Sequence, residues 1–92
     1  MEIILSQPYI KVIRSIEDNQ QKSIEVEDYL HLYADQIITD SNVFLLREVH
    51  DISYKIFSNS SGFLYLHTNK GVYSFIVYKE PYEFIDMFKE LK

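Results

Sequence analysis

Apolar and polar residues alternate along most of this chain with the two-residue period of β-strands. From Tyr9 to Glu17 the pattern sets Ile10, Val12 and Ile16 against Lys11, Ser15 and Glu17, so the three aliphatic side chains are expected to face inward. Pro8 separates this run from the short apolar start Ile3-Ile4-Leu5. The polar string Asp18-Asn19-Gln20-Gln21-Lys22 reads as a turn. After it, Ile24 and Val26 alternate as inward positions with Glu25 and Glu27, and Tyr29-Leu30-His31-Leu32-Tyr33 keeps the same period. Ala34-Asp35-Gln36 and Asp40-Ser41-Asn42 are turn clusters, because Asp, Asn and Ser side chains bond nearby backbone. They bracket a short strand, Ile37-Ile38-Thr39. Val43 to Arg47 and Asp51 to Phe57 are further extended runs separated by Glu48-Val49-His50. Ser58-Asn59-Ser60-Ser61-Gly62 is the clearest break, expected to be the most mobile internal segment.

The strongest local signal follows. Phe63 to Thr68 and Val72 to Tyr78 are aromatic and β-branched runs flanking Asn69-Lys70-Gly71, which predicts a β-hairpin with a type I turn closed by a left-handed glycine. With a glycine bulge, Thr68 faces Val72. Phe63, Tyr65, His67, Tyr73, Phe75 and Val77 then share one face, and Leu64, Leu66, Ser74 and Ile76 share the other. From Pro81 the period changes. Phe84, Ile85, Phe88 and Leu91 fall on one face of an α-helix from about Pro81 to Leu91, with Glu80 and Glu83 at its start and Lys89 and Lys92 at its end, complementing the helix dipole. The expected fold is mainly β: six to eight short antiparallel strands forming a bent sheet or partly open barrel, capped by one C-terminal helix.

Composition narrows the function classes. The chain has 92 residues, 47% of them hydrophobic and 25% charged, the usage of one globular domain spanning residues 1–92 rather than of a disordered or fibrous segment. With no cysteine, disulfides, thiolate metal sites and cysteine nucleophiles are excluded, and a reducing, cytoplasmic location is expected. The formal charge is −5, with seven acids and one base, Lys22, between Glu17 and Asp40. Clustered Lys or Arg is what displaces counterions from phosphates, and here the bases stand singly. Nucleic acid is therefore not an expected partner and a membrane surface is disfavoured.

The runs Leu30 to Ile38, Val49 to Tyr54, Leu64 to Phe75 and Glu80-Pro81-Tyr82-Glu83-Phe84 resemble a bacterial pleckstrin-homology-like domain family, similar to small Bacillus-type proteins built on the domain of the sublancin immunity protein. The resemblance covers residues 9–91 and implies a helix-capped bent sheet. Through the family's lipid-binding and bacteriocin-immunity members it also implies a membrane-peripheral alternative. The residues depart from both. The turn where such domains carry Lys and Arg holds Asp18 and Lys22 beside Glu17, and Met1 to Leu5 are too few to span a bilayer.

No catalytic signature accompanies this pattern. His31, His50 and His67 lie 19 and 17 positions apart, without metal-ligand spacing, and read as surface or half-buried strand histidines. Glu48, His50 and Asp51 combine carboxylates with an imidazole, but neighbours on an extended chain point to alternating faces. No catalytic residue, metal or organic cofactor is expected. Tyrosine is the informative excess, eight in all, and tyrosine is enriched where proteins meet one another. The expectation is a non-enzymatic module that binds a protein partner or a second copy of itself. Its candidate interaction face is Phe63, Tyr65, His67, Tyr73 and Phe75.

Overall fold

The computed structural model describes residues 2–59 and 61–92. Its strands are set by where the backbone can reverse. Asp18 and Asn19 take φ of 50° and 63°, the left-handed pair that a two-residue hairpin requires and that Asp and Asn tolerate. They join β1 (Leu5–Glu17) to β2 (Gln20–Leu32). Short strands β3 (Gln36–Ile38) and β4 (Val43–Leu45) lead through a 3₁₀ turn, Leu46–Glu48, into β5 (Val49–Ser58), β6 (Ser61–Thr68) and β7 (Gly71–Val77). Every pairing is antiparallel, in the order β4-β3-β2-β1-β7-β6-β5. The result is a bent, open seven-stranded sheet followed by one helix, α1 (Tyr82–Leu91). The alternation and the change of period had predicted this architecture.

The sheet bends around a core of Leu30, Leu32, Ile37, Phe44, Val49, Leu64, Leu66 and Val77. The inner face is finished by α1, which buries Phe84 and Phe88 in the concavity and packs Ile85, Met87 and Leu91 at the margin. Pro81 stands just before the helix rather than within it. Each phenylalanine contributes about 1.5–3 kcal/mol by leaving water. At the helix end, the Lys92 ammonium donates to the carbonyls of Leu46 (2.9 Å) and Val49 (2.7 Å). That contact ties α1 to the 3₁₀ turn joining the two halves of the sheet.

Three local expectations are corrected. Pro8 lies inside β1, opposite Tyr29, since proline is tolerated in a strand where the ladder does not need its nitrogen. The inward face of β1 carries the opposite parity from the one predicted: Gln7 and Tyr9 are buried, while Val12 and Ile16 are 41% and 79% exposed. Ile24 on β2 is exposed as well. The cause is length. Thirteen residues extend about 43 Å, so the hairpin runs past the core, along a molecule 48 Å in its longest dimension. Its distal half has no second layer above or below. Finally, the predicted loop at Ser58–Gly62 is largely strand, with Ser58 opposite Ser61 and Gly62 opposite Ile56; Ser60 and Met1 lie outside the described residues.

Gly62 is buried because the Tyr54 ring lies across it. A Cβ there would stand 2.5 Å from that ring and 2.8 Å from the Lys55 carbonyl oxygen. The ring could swing aside, but the backbone could not. Gly62→Ala should therefore destabilise the domain by about 1–3 kcal/mol, read as a lower urea midpoint. Phe84→Ala and Phe88→Ala should each cost about 3–5 kcal/mol, enough to unfold much of a domain of ordinary stability. An exposed-face control, Glu90→Ala, should leave the midpoint in place.

Candidate functional site

The ladder between β6 and β7 runs without a shift from Thr68 opposite Gly71 to Gly62 opposite Val77. The turn is thus Asn69-Lys70 alone, fastened by the Thr68 hydroxyl, which donates to the Gly71 carbonyl (2.8 Å) and accepts from the Lys70 amide (3.1 Å). Gly71 takes φ of 129° as the first residue of β7 instead of forming a bulge. This moves the register by one residue from the expected pairing, and a one-residue slip turns every side chain of a strand over. The five residues predicted to form one face are accordingly divided. Phe63, Tyr65 and His67 lie on the outer face with Val72, Ser74 and Ile76. Tyr73 and Phe75 lie on the inner face with Leu64, Leu66 and Val77.

The inner pair is core. Tyr73 meets Phe44 edge-on at 4.9 Å between ring centres, and Phe75 meets Tyr9 at 5.0 Å. Offset and edge-on contacts of this kind add about 0.5–1.5 kcal/mol beyond burial. The outer trio instead forms a stripe along the convex side of β6. Phe57 packs on Phe63 at 4.7 Å, Phe63 on Tyr65 at 5.9 Å, and Tyr65 on His67 at 6.4 Å. Phe57 is 51% exposed and the other three are half-buried. The Ser53 hydroxyl, at 2.7 Å from the His67 Nε2, fixes that ring.

Register places a second row beside the stripe. Asp51, Ser53 and Lys55 of β5 stand opposite His67, Tyr65 and Phe63 respectively. The charged residues therefore bracket the stripe, Asp51 at one end and Lys55 at the other, with Ser53 and Tyr65 between. Phe57 and this charged row were missed in the sequence reading. The signal was present in the alternation of Asp51, Ser53, Lys55 and Phe57 with Ile52, Tyr54 and Ile56, but the strand's partner in register could not be read from its own residues.

The concave side carries a polar cluster at the root of the β1–β2 hairpin. The Tyr9 hydroxyl donates to Asp28 Oδ2 (3.3 Å) and Asp40 Oδ1 (3.4 Å), while the Lys11 ammonium pairs with Asp40. Burial, then the charges of Asp28 and Asp40, push the Tyr9 phenol far above the ordinary tyrosine range. The hydrogen bond from Lys11 holds the Asp40 carboxyl below the usual carboxylate range. The histidines do not converge on this cluster. His31 Nδ1 lies 2.8 Å from the Ser6 hydroxyl and its ring stacks on Tyr29, whereas His50 is exposed near the start of β5. Among the described residues no group of three His, Cys, Asp or Glu side chains could hold a metal.

Comparisons with protein-family models, with curated proteins and with solved structures find no match to this chain. No helix among the described residues is long and apolar enough to cross a membrane.

The Tyr9 cluster gives stability a defined pH dependence. A phenol whose pKa is raised on folding stabilises fully below the unfolded value of about 10 and loses that contribution as pH climbs toward the folded value. Stability should thus decline above about pH 10, and Tyr9→Phe should flatten that limb. The depressed Asp40 carboxyl acts oppositely: its contribution is present above about pH 4 and lost as pH falls through its folded value. Urea unfolding across the pH range checks both, and an alkaline limb unchanged in Tyr9→Phe would assign the effect to another group.

Proposed function

We propose that this chain is a non-enzymatic self-assembly module, pairing with a second copy of itself through the outer aromatic stripe. The observation that carries the reading is the order of side chains along β5 and β6. A two-fold axis through Ser53 and Tyr65, lying across the strands, sets β5 against β5 and β6 against β6 with their directions reversed. Asp51 of each copy then faces Lys55 of the other, Phe63 faces His67, and Tyr65 faces Tyr65. Such a surface is its own complement, which is what a two-fold interface requires.

Tyr, Phe and His at the centre supply rigid apolar area, and the flanking charges fix the register. A bent antiparallel sheet closed by one helix is the architecture that the pleckstrin-homology-like resemblance implies. The membrane-peripheral alternative has less to stand on. The β1–β2 turn presents Asp18 and Asn19, and adjacent Lys22 is occupied by Glu17 at 3.3 Å.

Sedimentation velocity over a wide concentration range should show a reversible monomer–dimer equilibrium that Tyr65→Glu abolishes. Asp51→Lys and Lys55→Asp should each weaken the dimer by about tenfold, and the two together should restore it. A monomer at every concentration, or a double variant no better than the singles, would refute the arrangement. Co-sedimentation with vesicles of anionic lipid would favour the membrane reading.

A further inference from the structure

The sheet is held together at its middle by one pair. Among the described residues, Ile10 opposite Ile76 alone joins β1 to β7, although both strands continue: β1 runs on to Glu17 and β7 extends back to Gly71. Beyond that pair β1 follows β2 into the projecting hairpin, and residues 12–17 and 71–75 each present one strand edge that no other strand of the sheet takes up. A notch of about 340 Å³ opens at the point of divergence, its lining including Lys11, Val12, Ser41, Phe63, Ser74 and Ile76. Unpaired strand edges are templates for pairing with another chain.

We infer that this seam is a β-augmentation site for an extended, acidic peptide segment of a partner protein. The edges supply backbone donors and acceptors. The notch walls supply apolar contact for alternate side chains of an added strand. The charge around the seam selects its sign. Continuing the register from Ile10 and Ile76 sets Arg14 opposite Val72 and Ile16 opposite Lys70 across the opening, so a base stands on each wall. Neither Arg14 nor Lys70 is in an ion pair among the described residues. Of the acids around the seam, Glu17 pairs with Lys22 and Asp40 with Lys11, while Glu48 lies beside the Asn69-Lys70 turn, its carbonyl accepting from the Asn69 amide. Glu25 and Glu27 stand on β2, one strand further out. β7 carries no acid. An incoming strand with carboxylates on alternate residues meets both bases and displaces no existing pair.

The seam borders the aromatic stripe at Phe63, but the Asp51–Lys55 row stands on β5, two strands from β7, so variants in that row separate the two readings. A fluorescein-labelled decapeptide alternating valine and glutamate, titrated with the full chain and followed by fluorescence anisotropy, should bind about tenfold more tightly than its valine–lysine counterpart. Methylating alternate backbone amides of the probe should remove binding without touching the protein. Arg14→Glu with Lys70→Glu should reverse the preference between the two peptides. Asp51→Lys, which tests the self-assembly interface from β5, two strands from β7, should leave it unchanged. Hydrogen exchange should slow at residues 12–17 and 71–75 on addition of the valine–glutamate peptide. Equal affinity for both peptides, no binding, or protection falling on the β5 edge instead would overturn the assignment. So would seam protection in the peptide-free chain that grows with protein concentration, since a second copy would then occupy the seam.

Discussion

A sheet has two faces, and this chain has one helix with which to cover them. That constraint organises the molecule. The sheet bends so that its inner face can be filled by its own side chains and by Phe84 and Phe88 of α1, and the Lys92 contacts with Leu46 and Val49 anchor the helix where β4 passes into β5. The outer face is left to whatever side chains the alternation puts there. On β2 these include Glu25 and Glu27, which water covers; on β6 they are Phe63, Tyr65 and His67, which water covers poorly. The same limit explains the projecting half of the β1–β2 hairpin, since a ten-residue helix (α1) cannot shield strands of thirteen.

Much of the architecture was legible because it is written in local periods. The helix announced itself by the apolar positions Phe84, Ile85, Phe88 and Leu91, and the antiparallel strands by alternation between turn residues. What could not be read was which parity of a strand faces the core when a strand outruns it. In β1, Ile10, Val12 and Ile16 are the more hydrophobic set, yet Gln7 and Tyr9 are buried. Tyr9 is admitted because its hydroxyl reaches Asp28 and Asp40, and Gln7 because its amide donates to the Lys79 carbonyl at 3.0 Å. Burial there follows position over the core, with hydrogen bonds offsetting the polarity.

The candidate site turned on a single residue of register. Asn69-Lys70-Gly71 is compatible with a three-residue loop carrying a bulge and with a two-residue turn that leaves glycine as the first strand residue. Composition does not separate them. The two place Tyr73 and Phe75 on opposite sides of the sheet, so the identity of the aromatic face was a question about one turn. The contacts that settle it are distant in sequence: Phe44 against Tyr73 and Tyr9 against Phe75.

The lone pair at Ile10 and Ile76 also bears on how the chain assembles. Strands β1 to β4 form one meander and β5 to β7 another, each joined by short connections that close quickly. Uniting them requires a contact across most of the chain, whose loop-closure entropy must be met before any long ladder rewards it. The two meanders therefore behave as separate nucleating units, with the seam among the last features to form. Sequence changes along it should alter how fast the native state opens more than how fast it is reached. The middle of this sheet is, in kinetic terms, its youngest edge.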